Sequence, residues 1–202
     1  MAKQIFISHA ESDLDLIDRI LSPIQNLPFD LIISVAEPEP GRIHTNITNQ
    51  ISNADVFIPV LTQDSKDNQW VNQEIGYAIN QNATIIPLFE DDSMLGGLIS
   101  DINGVELDRY NNERTTFEVI SMLRQDSQPL SIGPLMPNWY LELKCNYGNC
   151  KRMNYFTIDR AQNELWEMHK NGNNIWWECE NCGSQYHYNP ATFEFVKRTK
   201  PS

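Results

Sequence analysis

Four short apolar runs, separated by segments of helical spacing, set the tightest limit on how this chain folds. Gln4 to Ser8 (QIFIS), Leu31 to Val35, Asp55 to Thr62 (DVFIPVLT) and Thr84 to Phe89 (TIIPLF) have strand length and branched content. Polar residues bound each of them, the pattern of strands buried on both faces. After the first run, Leu14, Leu16, Ile17, Ile20, Leu21 and Ile24 keep helical spacing, with Ser12 placed to cap the start and Pro23 to limit the end. A polar helix is expected from about Thr45 to Ser52, and another over Trp70 to Asn80. Gly104 to Leu107 reads as a short edge strand, and Asn112 to Gln125 as a closing helix with Phe117, Ile120, Met122 and Leu123 inward. Strands alternating with helices predict an α/β fold, a flavodoxin-like five-stranded parallel sheet covered on both faces. In the order 2-1-3-4-5, ligands bind at the carboxyl ends of the strands, where the first and third part company. Those ends are Ser8 and His9, and Leu61 and Thr62. Pro59 is awkward in such a strand because it offers no ladder hydrogen bond.

The helix QWVNQEIGYAI after the third strand holds the acid best placed for chemistry. Val71, Ile75, Ala78 and Ile79 form an apolar stripe, with Glu74 expected off it, four residues after Trp70 and three before Tyr77. A carboxylate between two rings suits a cationic, ring-bearing substrate. The plainer reading is a solvated helix glutamate beside an interface tryptophan.

Charge and composition exclude several classes. The net charge of −12 is uneven: residues 1–136 carry 7 Lys and Arg against 20 Asp and Glu, and residues 137–202 carry 8 against 7. So acidic a first part argues against a general phosphate-backbone binder. No apolar run approaches the ~20 residues needed to span a bilayer, and the start MAKQIFISHAESD lacks the apolar core of a signal peptide. A cytoplasmic protein without a membrane partner is expected. Neither GxGxxG nor GxxxxGK[ST] occurs. Ser8, His9 and Asp13 make a poor hydrolase set without a GxSxG elbow.

All four cysteines lie in the last third, as Cys145-x4-Cys150 and Cys179-x2-Cys182. Two short-spaced pairs joined by a long insert describe a small β-rich, zinc-ribbon-like domain, in which four thiolates close a tetrahedral structural site. CENCG fits well, since glycine after the last ligand permits the turn, whereas CNYGNC is wider than CxxC. Two disulfides are the alternative, disfavoured in a reducing compartment. His169 and His187 are spare ligands, better read as ordinary polar residues. Tyr186, Tyr188, Phe193 and Phe195 alternate as strand residues do. Most rings here are expected in the core, with an exposed subset near Lys197, Arg198 and Lys200 available to a protein or nucleic acid.

Taken in order, FISHAESD, EPEPGRI, ADVFIPVLT and SKDNQWVNQEIGYA resemble a TIR (Toll/interleukin-1 receptor) domain of the prokaryotic type, from about Lys3 to Gln125. The match divides the chain into a TIR domain over 1–130 and a zinc-ribbon-like domain over 131–202. The family includes adaptors that signal by assembling and enzymes that cleave the nicotinamide–ribose bond of NAD+. The resemblance implies Glu74 as the essential catalytic glutamate and Trp70 as its aromatic companion. Gly41 and Arg42 fall on a loop that mediates self-assembly and closes over substrate, and Ser8 and His9 near the substrate at the end of the first strand. It further implies NAD+ as substrate, ADP-ribose or a cyclic form as product, homo-oligomers through TIR surfaces, a trigger or effector protein, and a setting in antiphage defence. The competing reading is a non-catalytic scaffold whose ribbon binds a protein or nucleic acid.

Overall fold

A computed structural model describes residues 3–27, 29–35, 45–127 and 140–200. Among these, the chain divides into two compact units, the first drawn from Met1–Leu21 and Phe29–Thr115, the second from Ser22–Pro28 and Thr116–Ser202. The proline and glycine loop with Gly41 and Arg42, and the expected boundary near residue 130, lie outside the described residues.

In the first unit, strands β1 (Lys3–His9), β2 (Phe29–Val35), β3 (Val56–Leu61), β4 (Thr84–Ile85), β5 (Leu88–Phe89) and β6 (Val105–Glu106) form one parallel sheet. Its order is β2-β1-β3-β5-β6, with β4 also on β3, so the expected 2-1-3-4-5 arrangement is present with its fourth strand in two pieces. The cause is local. Phe57 pairs with Ile85 and Val60 with Leu88, which sets Pro59 beside Pro87, and neither has an N–H to donate. On its other side Pro59 stays in register with Ser8. A central strand thus tolerates proline where the neighbouring ladder is already broken. Gly104 leads into β6, and a Cβ there would meet the Pro87 carbonyl oxygen at 2.3 Å.

Helices α1 (Leu14–Leu21), α2 (Thr45–Asn53) and α3 (Gln69–Asn80) connect the strands. Phe6, Ile51, Phe57, Leu61, Val71, Ile75, Ala78, Phe89 and Ile99 form a core in which Phe6 and Phe57 stack with centroids 5.7 Å apart. All six residues of β3 are buried, as a central parallel strand requires.

Helix α4 (Asn112–Ser127) begins in the first unit and continues in the second. It buries Phe117, Val119, Ile120 and Leu123, while Met122 is half-buried. The second unit contains an antiparallel hairpin of β7 (Tyr140–Lys144) and β8 (Met153–Thr157), helix α5 (Gln162–Lys170), and an antiparallel meander of β9 (Ile175–Glu178), β10 (Gln185–Tyr188) and β11 (Phe195–Thr199). The expected aromatic alternation breaks after Tyr188. Asn189 to Glu194 turn tightly, Phe193 takes a left-handed φ of 59° with its ring fully buried, and Phe195 opens the next strand half exposed. Alternation describes Tyr186 and Tyr188; a turn, not a strand, separates them from Phe195.

Candidate functional site

Helix α3 starts where the Asn68 side chain accepts a hydrogen bond from the Trp70 N–H at 2.9 Å, satisfying one of the helix's free donors. One turn later Glu74 lies only 7% exposed, buried with Val71, Ile75 and Ala78. Its expected position off the apolar stripe is therefore corrected. At ~100° per residue, Glu74 falls on the stripe's flank, between Ala78 on one side and Trp70 and Tyr77 on the other. Burial follows because the end of β1 covers that flank: the fully buried Ser8 hydroxyl donates to Glu74 Oε2 at 2.5 Å. Burial pushes the Glu74 carboxyl above its ordinary range, and the Ser8 hydroxyl opposes that rise.

His9, next along β1, is 1% exposed. Its Nδ1 donates to the Ala10 carbonyl at 2.7 Å, and its Nε2 is buried and without a partner in the structure. Such an orphan at the end of a strand is uncommon enough to require an explanation. Trp70 is half-buried one turn before Glu74, and the Tyr77 hydroxyl lies 2.9 Å from Ser52 Oγ on α2.

The third strand's end serves a different cluster, which periodicity did not reveal. Thr62 Oγ1 donates to the Asp13 carboxylate at 2.9 and 3.1 Å, and the Thr62 N–H donates to Ser65 Oγ at 2.7 Å. Glu90 accepts from the Gln63 N–H at 3.0 Å and pairs with Arg109. Asp13 is 1% exposed, and burial raises its carboxyl above the usual range, with the Thr62 bond opposing. Only the acid at position 13 is visible locally, since its partner is 49 residues away.

In the second unit the turns after β7 and β9 bring the four cysteines together, with all four Sγ atoms within 4.8 Å of one another. Cys145 and Cys182 are 3.6 Å apart, Cys150 and Cys179 3.7 Å. These are not disulfides, whose S–S bond is about 2.0 Å. Four ligands at about 2.3 Å from one tetrahedral ion would stand about 3.8 Å apart, so the donor set fits a metal. Each turn is shaped for it. Gly183 takes φ 70° and donates to the Cys179 carbonyl at 2.9 Å, and Gly148 takes φ 54° inside the wider turn. Polar groups surround the sulfurs: the Tyr186 hydroxyl donates to Cys145 at 3.1 Å and Asn181 Nδ2 to Cys150 at 3.2 Å, while the Cys182 thiol donates to Ser184 Oγ at 3.4 Å. The Asn181 amide draws the Cys150 thiol down to about 6, while burial pushes Cys145 up to about 11. His169 bonds Asn189 at 3.2 Å, and neither His169 nor His187 belongs to the cluster.

The TIR domain family model matches residues 5–120, and the chain belongs to that family. Over 103 residues it is 32% identical to the protein named NAD(+) hydrolase sarm1 of Drosophila melanogaster, a stretch covering 45% of this chain and 7% of that protein. Among solved structures, the TIR domains of the activated Roq1 resistosome recognising the effector XopQ align at TM-score 0.47 and 12% identity, covering 60% of this chain and 99% of that one. The TIR domain of the Toll-related receptor TRR-2 from Hydra magnipapillata aligns at 0.46 and 13%, covering 59% and 97%.

Proposed function

We propose that the first unit cleaves the nicotinamide–ribose bond of NAD+, with Glu74 as the catalytic carboxylate and Trp70, Ser8, His9, Gly41 and Arg42 in substrate binding. The observation that carries this reading is the buried Ser8–Glu74 contact at the sheet's switch point. The likeness to a protein named as an NAD(+) hydrolase supports it. Nicotinamide departs as a neutral molecule, so no general acid is needed. The ribose becomes an oxocarbenium-like cation, and a carboxylate that faces it and bonds the ribose hydroxyls stabilises that state. Glu74 must be ionised for this; burial, the larger effect, raises its carboxyl, and the Ser8 hydroxyl offsets part of that rise. The unpartnered His9 Nε2 offers a hydrogen-bonding nitrogen to a polar group of the substrate. Trp70 shields the pyridinium, with cation–π attraction of ~0.5–2 kcal/mol. Attack by water yields ADP-ribose, and attack from within the molecule yields a cyclic form. Either product serves as a signal, which we place in antiphage defence in the cytoplasm, with copies associating through TIR surfaces.

In the second unit we assign one zinc to Cys145, Cys150, Cys179 and Cys182, in a zinc-ribbon-like arrangement. With four thiolates and no open position, the ion's part is structural.

The deciding experiment is nicotinamide release from NAD+ by concentrated wild-type and Glu74→Gln protein, with the second product identified by mass. Release by wild type alone is expected, with the variant at least about a thousandfold slower and its circular dichroism unchanged. Equal turnover would remove Glu74 from the mechanism. Release by neither would favour the non-catalytic scaffold.

A further inference from the structure

The second unit carries a furrow that the metal cluster does not use. Two hollows of about 210 and 370 Å³ share Asp159 and Trp177 as walls. Trp176 lines one and Tyr155 and Glu180 the other, where Glu178 also stands. Strands β8 and β9 border it, and among the described residues each pairs on one side only, β8 with β7 and β9 with β10. The Trp177 ring is a fixed wall: its Nε1–H donates to the Thr157 carbonyl at 3.1 Å, and it stacks on Phe156 with centroids 5.5 Å apart. Trp176 and Tyr155, by contrast, are 52% and 61% exposed.

Charge decides what such rings fit. Asp159 lines both hollows, and Glu178 and Glu180 line the one that holds Tyr155. Arg160 stands at one hollow, and Arg152 is engaged with Glu180 at 3.1 Å, an exposed pair easily exchanged. Aromatic faces beside carboxylates attract cations and repel phosphates. The basic residues Lys197 and Arg198 lie on β11, at the meander's opposite edge, and Arg198 is bonded to Asn146 and set over the Tyr147 ring. Neither turns this furrow into a phosphate track.

We propose that the furrow between β8 and β9 binds an extended segment of a partner protein that presents lysine or arginine side chains at alternate positions. Alternation follows from strand geometry, since side chains on one face of an extended chain recur every second residue, about 6.6–6.8 Å apart. The border of β9, and that of β8 before Thr157, whose carbonyl the Trp177 indole already occupies, favour an extended backbone, and the rings and carboxylates take the cations.

The test uses the full chain as purified and follows anisotropy of a labelled peptide of alternating lysine and threonine at physiological salt, where distant charges are screened. Saturable binding is expected, weakened about tenfold by Trp176→Ala and by Glu178→Lys, with metal content and circular dichroism unchanged. Asp18→Lys, an exposed change on α1 in the first unit, is expected to leave binding intact. Equal loss in Asp18→Lys would reduce the effect to net charge and overturn the proposal. So would equal binding of a glutamate-threonine peptide, an absence of saturation, or oligothymidine binding lost in Trp176→Ala, which would assign the furrow to nucleic acid.

Discussion

Burial and the Ser8 hydroxyl pull on Glu74 in opposite directions, and the balance determines the pH range in which the acid is charged. Ser8→Ala removes the donor without removing the burial, so the carboxyl rises further. If the ionised form performs the reaction, the acidic limb of the rate profile moves to higher pH, in addition to the fall in the plateau that follows from losing Ser8's contact with substrate. A pH series of nicotinamide release should show a several-fold loss at the acidic end, and an unshifted limb would dissociate Ser8 from Glu74's ionisation. Glu74 itself was legible as an acid on a helix after the third strand. That it is buried was not, because burial comes from Ser8, 66 residues away.

Among elements, the ends of β1 and β3 do different work. The end of β1 meets α3 through Ser8, while the end of β3 ties through Thr62 to Asp13 in the turn before α1. Asp13 binds its proton more readily folded than unfolded, because burial raises its carboxyl. Its contribution to stability is therefore fully present below the usual carboxylate range and is lost as pH rises through the raised folded value. Asp13→Asn cannot ionise, and its side-chain oxygen still accepts from Thr62. Thermal melts at pH values from about 3 to 7 should show the variant gaining on wild type as pH rises; a constant difference would mean that Asp13 does not titrate in that window. The break in the fourth strand is an element-scale effect of the same kind. Pro59 and Pro87 are each visible in the sequence, but only the register sets them side by side.

For the molecule as a whole, the two units depend on different sources of stability. The first has a sheet and covering helices around a large apolar core; the second, whose strands are divided between a two-stranded and a three-stranded sheet, gains from a metal staple. Metal analysis should find about one zinc per chain, lost in Cys179→Ser or by chelation, with the second unit's tryptophan signals changing and the first unit's transition retained. Folded, metal-free protein with four free thiols would refute the assignment. The sequence by itself determined what is periodic or spaced: the α/β alternation, the apolar faces, the two cysteine pairs and the position of Glu74 on its helix. Those features are local, written within one turn, strand or knuckle. Tertiary structure alone decided the Ser8–Glu74 and Asp13–Thr62 contacts, the meeting of the two cysteine turns and the furrow beside Trp177. Each joins residues far apart in the chain, and which of them meet depends on strand order and register that no single segment encodes.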